Sequence, residues 1–320
     1  MVAPWRMLEE FAEPVARLMQ TPGYLMPRRG TTLDRPRPLL PPGHVQWVPG
    51  AGELFYRDTG PPRRRAARGT ILLLHGWMVP TDAHWFRTFD ALHRQGWRVI
   101  ALDARGHGRG LRTIRTFRFS DCAADAAALI EHLDCGPVTL VGYSMGGIIA
   151  QLIARNWPER VAGALLCATG CEFRTSLAMR AVWSSMGLLQ VGWRLAPRGY
   201  WSALTKVMTV ADPAVAEWFV AELARGAAWD IAEAGREIGR FDSRPWLEEI
   251  QVPTVVLVTL LDVLVPPGRQ RDLAGRLGAP IVTLRADHLA PGTAPDRFHR
   301  ALTRGLARLA EEQDQARVAA

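Results

Sequence analysis

The chain has 320 residues, 48% of them hydrophobic and 22% charged, with a formal charge of +8. This balance excludes wholesale disorder and suits one large domain of strands and helices, or two small ones. No apolar run reaches the roughly 18 residues of a membrane-spanning helix, and Glu9, Glu10 and Glu13 stand where the apolar core of a secretory signal would lie.

In chain order, Trp5, Leu8, Phe11, Val15 and Leu18 recur at helical spacing behind Pro4, and Pro14 bends or divides that helix. A proline- and arginine-rich linker follows over residues 22–42, so residues 1–44 form a unit apart. The simplest role for its helix is docking an apolar face on the main domain. Contact of residues 1–20 with a membrane surface, or cover for an active-site mouth, are the other readings. Residues 44–48 and 53–57 read as two strands around a turn at Gly50 and Gly52. Residues 71–74, 98–103, 138–143 and 163–168 are short apolar runs suited to strands buried on both faces. Helices are expected between them at 86–94, at 120–133 with Ser120 as cap and an apolar stripe of Ala124, Ala127, Ala128 and Ile130, and from Met145 to about Trp157.

The rhythm pauses over residues 172–246, where no buried strand is found and Trp183, Trp193, Trp201, Trp218, Trp229 and Trp246 accumulate. Helical periodicity around 214–225 marks this block as a helical insertion. Strands resume at 254–259 and 281–284 around a helix near 270–277. A last helix is expected over 295–312, and a frayed tail from Gln313. Strand–helix alternation of this kind specifies a doubly wound, mostly parallel sheet.

Two features of composition carry little function. Arginine clusters at Arg63, Arg64, Arg65 and Arg68, and again at Arg105, Arg109, Arg112, Arg115 and Arg118, without interleaved aromatics. These read as solvated loop arginines, and no nucleic-acid partner is expected. Cys122, Cys135, Cys167 and Cys171 lack paired metal-ligand spacing and read as free thiols in a reducing cytoplasm.

The strongest local signal is Gly142-Tyr143-Ser144-Met145-Gly146-Gly147, between a buried strand and a helix. A serine on such a turn is lifted above the sheet edge, and Gly142 and Gly146 leave room for the neighbouring strand and helix. Serine is a poor nucleophile without a base, and the base needs an orienting acid. Catalytic groups of doubly wound sheets gather beyond the carboxyl ends of strands. Asp262 follows the apolar run 255–261, and His288 follows the strand 281–284, in the order serine, acid, histidine. Asp103, Asp242, Asp287, His84, His93, His132 and His299 are worse placed, and His299 is expected on the solvated face of the last helix. Backbone N–H groups of Met145 and Trp77 are expected to form the oxyanion hole, with Gly76 allowing close approach and His75 bonding loop backbone.

With His75-Gly76-Trp77, Asp103-Ala104-Arg105-Gly106-His107-Gly108, the serine turn, and Asp262 with His288 falling in order over residues 45–310, the chain resembles the α/β-hydrolase superfamily, in its lid-bearing esterase and lipase branch. The resemblance implies an α/β fold: an eight-stranded, mostly parallel sheet flanked by helices, with a helical lid after the sixth strand. The core would then span residues 45–171 and 247–312, the lid 172–246 and a tail 313–320. It implies carboxylic ester hydrolysis through an acyl-enzyme, with no metal or organic cofactor. Asp103 and Arg105 would organise the loop near the site. Tryptophan with Met179, Met186 and Met208 in the insertion suggests a small-molecule ester bearing an apolar acyl or aromatic group; simple packing of the insertion on the core is the alternative. Perhydrolase, lactone, thioester and C–C bond hydrolysis stay open, as does a non-catalytic binding protein on the same fold.

Overall fold

The apolar runs pair into a single sheet in this computed structural model, which describes residues 39–62, 67–112, 115–174, 183–186, 190–191 and 213–319. Strands β1 (Gly43–Val48), β2 (Gly52–Asp58), β3 (Thr70–Leu74), β4 (Arg98–Leu102), β5 (Val138–Tyr143), β6 (Val161–Cys167), β7 (Thr254–Thr259) and β8 (Ile281–Leu284) lie in the order β1-β2-β4-β3-β5-β6-β7-β8. The β1–β2 and β2–β4 pairs are antiparallel and every other pair is parallel.

Side chains alternate across the central strands, so each strand feeds two cores. Leu72, Leu74, Ile100, Leu140 and Val256 face a core shared with the helices α3 (Phe119–His132), α4 (Met145–Asn156) and α7 (Pro267–Leu277). Ile71, Leu73, Val99, Val141 and Val255 face the opposite core, closed by α1 (Thr81–Trp85), α2 (Phe89–His93) and α9 (Pro295–Ala319). Burial on both faces explains why these strands read as continuous apolar runs. Between β6 and β7 the described residues hold α5 (Pro213–Leu223) and α6 (Ala228–Arg240). The short α8 (Ala290–Thr293) precedes α9.

Several local expectations are corrected. The helix expected at 86–94 is two short helices, α1 and α2, and it starts earlier because Asp103 Oδ1 accepts the Thr81 N–H at 2.7 Å. Ser120 caps nothing: α3 begins at Phe119 after an extended Arg118, with no side-chain cap bond. Ala124 of the expected stripe is exposed, whereas Ala127 and Ile130 are buried, together with Cys122, Ala123, Ala126 and Leu129. The final helix continues to Ala319 through the expected tail, where Gln313 Nε2 donates to the Ala162 carbonyl at 2.8 Å. The amphipathic segment of residues 1–20, Arg63, Arg64, Arg65, Met179, Trp193, Trp201 and Met208 lie outside the described residues. Among the described residues no helix is long and apolar enough to cross a membrane.

Candidate active site

β5 ends at Tyr143 and α4 starts at Met145, so the chain reverses through one residue, Ser144. Its φ of 53° and ψ of −113° are unusual for a residue with a Cβ. The turn is bolted down on several sides. The Ser144 N–H donates to Cys167 O at 2.9 Å, and Ser144 O accepts from Thr169 Oγ1 and from the Gly147 N–H, both at 2.9 Å. A Cβ on Gly142 would lie 2.4 Å from the Gly146 carbonyl oxygen, and one on Gly146 only 2.1 Å from that of Leu74. Both positions therefore admit only glycine, for lack of space.

The loop after β8 brings His288 across the end of β5. Its Nε2 lies 2.9 Å from Ser144 Oγ and its Nδ1 lies 2.7 Å from Asp262 Oδ2. Tyr143 supports the loop by donating its hydroxyl to His288 O at 3.0 Å. Asp262 follows β7 and its side chain is sealed from solvent. The carboxylate is enclosed by donors of the protein: Thr259 Oγ1 at 2.7 Å and Gln270 Nε2 at 3.3 Å on Oδ2, and the N–H groups of Leu264 and Val265 at 3.0 and 2.8 Å on Oδ1. A carboxylate oxygen facing Nδ1 accepts the proton carried there, which leaves Nε2 of the neutral ring as an acceptor for the serine hydroxyl.

Opposite the serine runs the loop His75-Gly76-Trp77-Met78 after β3. His75 is buried and bonds loop backbone: Nε2 accepts the Ala104 N–H at 3.0 Å and Nδ1 pairs with Gly76 O at 2.8 Å. Burial holds its pKa down, against the pull of nearby Asp103. The Trp77 indole N–H donates to Ile231 O of α6 at 2.7 Å, and its ring meets Trp183 edge-on. Gly235 of α6 passes so close that a Cβ there would lie 2.8 Å from both Met186 Sδ and Trp77 Cζ2. The helical insertion thus sits on this loop. Met145, the other expected N–H donor, is buried at the start of α4, next to the serine.

Asp103 organises the next loop, accepting from the N–H groups of Thr81 and Arg109 at 2.7 and 2.8 Å. Three of the arginines expected to be solvated are engaged, while Arg68, Arg115 and Arg118 are exposed. Arg105 pairs in two bonds with Asp125, Arg109 reaches both Asp82 and Glu222, and Arg112 donates to Gly108 O and Arg225 O. Of the less favoured candidates, Asp242 pairs with Arg244, and Asp287 caps the turn at Leu289. His93 meets Trp97 O, and His132 meets Gln46. His299 is not a solvated surface residue: it packs beside Thr88, and burial lowers its pKa.

Two contributors to the site escaped the sequence, and a third, His84, is visible there only as a badly placed candidate base. Thr259 and Gln270 embed Asp262, and His84 lies against Gly76, with its Nδ1 accepting the Gly76 N–H at 3.4 Å. Gln270 offered a faint signal, a polar residue on the inward face of an amphipathic helix. His84 offered none for this contact.

A family model described as "Serine aminopeptidase, S33" matches residues 65–292. Over 208 residues the chain is 26% identical to 3-oxoadipate enol-lactonase 2 of Acinetobacter baylyi, covering 64% of this chain and 76% of that protein. Over 115 residues it is 40% identical to a non-heme haloperoxidase of Rhodococcus erythropolis, covering 36% of this chain and 39% of that protein. Among solved structures, bromoperoxidase from Bacillus anthracis superposes with a TM-score of 0.71 over 83% of this chain and 100% of that one, at 19% identity. A likeness that distant speaks for the fold alone.

Proposed function

Because the chain belongs to the family described as Serine aminopeptidase, S33, within the α/β-hydrolase superfamily, we propose that it is a serine hydrolase of small carboxylic esters. The observation that carries the reading is the relay at the end of β5: Ser144 Oγ to His288 Nε2 at 2.9 Å, and His288 Nδ1 to Asp262 at 2.7 Å. In this reading His288 takes the hydroxyl proton as Ser144 attacks the ester carbonyl, and a tetrahedral intermediate forms. The N–H groups of Met145 and Trp77 hold its oxyanion. His288 returns the proton to the leaving alcohol, and the acyl group stays on Ser144. Water, deprotonated by His288, then attacks the acyl-enzyme and releases the acid. Asp262 remains ionised and stabilises the transient imidazolium.

The insertion acts as a lid in this proposal. Met186, Leu223, Ile231 and Ala232 cluster with Trp77, Met78 and Trp183, which favours an apolar acyl or aromatic group beside the serine. A cyclic ester is the second reading, favoured by the match to a protein named enol-lactonase over most of that protein's length. Buried or half-buried thiols at all four cysteines are in keeping with a cytoplasmic setting.

Stopped-flow turnover of p-nitrophenyl esters graded by acyl length tests the proposal. A burst of nitrophenol near one equivalent, followed by slower steady turnover, is expected for the acyl-enzyme. No turnover of any open-chain ester, with rapid opening of lactones, would move the assignment to the second reading.

A further inference from the structure

His84 stands beside the proposed nucleophile with no part in the chemistry of that proposal. It lies on α1 with its ring 5.0 Å from that of Tyr143 and 4.4 Å from that of Trp85. A Cβ on Gly76 would meet His84 Cε1 at 3.3 Å and Ser144 Cβ at 3.8 Å, so Gly76 is held between the histidine and the serine.

The hydrogen bonds around Gly76 assign the tautomers of two histidines. His75 Nε2 accepts the Ala104 N–H, so in the neutral ring the proton is on Nδ1, which donates to Gly76 O at 2.8 Å. His84 Nδ1 accepts the Gly76 N–H at 3.4 Å, so its proton is on Nε2. That Nε2 is buried and has no hydrogen-bond partner among the described residues. The ring is therefore held where one of its two polar atoms goes unsatisfied, which favours a position set by the contact on the other side.

The Gly76 carbonyl and the Trp77 N–H belong to one planar trans peptide and point in opposite directions. Fixing the carbonyl on His75 fixes the direction of the Trp77 N–H. Fixing the preceding N–H on His84 removes the remaining freedom at Gly76, a residue without a side chain to restrain it. The next residue, Met78, has a φ of 68°, so the loop holds a conformation that it does not adopt by default.

We propose that His84 is a positioning residue for the oxyanion loop, gripping the Gly76 N–H while His75 grips the Gly76 carbonyl, so that the Trp77 N–H is pre-aimed for the transition state. The inference rests on the reading of Ser144 as nucleophile and Trp77 as oxyanion donor. Only a neutral imidazole can accept from Gly76. Burial, together with the neighbouring His75 and His288, holds His84 well below the ordinary histidine range and keeps it neutral.

Three variants separate this role from packing. His84→Asn places Oδ1 where Nδ1 was and keeps the acceptor. His84→Phe keeps a ring and loses the acceptor. His84→Gln loses the acceptor at that position and replaces His84→Phe should the latter fail to fold. Each is measured for kcat and KM on a p-nitrophenyl ester, and for its rate of labelling by a fluorophosphonate, whose phosphoryl oxygen occupies the same hole. The expected result is a fall of roughly tenfold or more in kcat and in labelling rate for His84→Phe, a KM within about twofold of wild type, and recovery of most of the loss in His84→Asn. Wild-type kcat and labelling in His84→Phe would overturn the clamp, as would His84→Asn performing no better than His84→Phe. A wild-type enzyme that the fluorophosphonate does not label would overturn the nucleophile reading itself, and the clamp with it.

Discussion

Asp262 shows how one buried charge is made tolerable. A carboxylate taken from water into a protein interior needs several donors to replace its hydration. Thr259, Gln270, two backbone N–H groups and His288 supply them. Asp262→Asn keeps the shape but turns one oxygen into a donor, which faces N–H groups or stabilises the wrong imidazole tautomer. The expected outcome is a kcat loss of about 10⁴-fold with little change in KM, read by steady-state ester turnover. Near-native kcat would mean that the orienting acid is elsewhere. Gly146→Ala acts on the same turn by sterics. Its Cβ would stand 2.1 Å from Leu74 O, with backbone on both sides. Loss of soluble protein, or a large drop in melting temperature, is expected, because backbone cannot rotate aside as a side chain can. A native melting curve for this variant would show that β3 and α4 approach less closely than described.

Elements meet here through charge as well as apolar packing. Glu222 of α5 is almost sealed from solvent and takes bonds at 3.0 and 3.2 Å from Arg109, whose guanidinium also reaches Asp82 of α1. Asp82 is shared in turn with Arg57 of β2. The insertion is thereby tied to the loop after β4. Glu222→Gln removes the anion and one of its two acceptors, leaving Asp82 as the carboxylate that Arg109 reaches. Faster hydrogen exchange in α5 is expected, with the sheet amides unchanged. Unaltered exchange there would show that apolar contacts alone seat the insertion. These ties also mark the limit of what the sequence reveals. The parallel strands were legible because burial on both faces forces continuous apolar runs, and the serine turn because close backbone approach demands Gly142 and Gly146. Arg109 was visible as one of a cluster, but its partner Glu222 lies 113 residues away and no local pattern joins them. Likewise α1 is started by Asp103 from a neighbouring loop, so its first residue cannot be read from the helix itself. The role of His84 escaped because its importance comes from the face it turns to Gly76, which only the packing of α1 on the sheet defines.

For the molecule as a whole, buried histidines set a pH dependence. Burial is the main cause that lowers the pKa values of His75, His84 and His107, and it takes His107 to about 3. His107 also faces His75 and Arg112, both of which disfavour its charged form. In the unfolded chain these groups take up protons near 6.5, whereas in the folded protein they do not. Below that pH the unfolded state binds more protons, so the histidine contribution is complete above about 6.5 and is lost as pH falls. Each such proton weakens folding by up to about 1.4 kcal/mol per pH unit. Burial raises Asp103 and Asp125, whose opposing effect belongs closer to the carboxylate range. Melting temperature should therefore fall between about pH 7 and pH 5. His107→Asn, whose amide still donates to Arg105 O, should flatten the slope, as followed by calorimetry. A melting temperature that held steady or rose on acidification would speak against neutral buried histidines.

All of these scales serve one side chain, the hydroxyl held on a strained turn above the sheet. Peptide mass analysis after fluorophosphonate treatment tests it most directly. A single adduct is expected on the peptide carrying Ser144, and none in Ser144→Ala. An adduct that persists in Ser144→Ala, or one on a different serine in the wild-type protein, would contradict it.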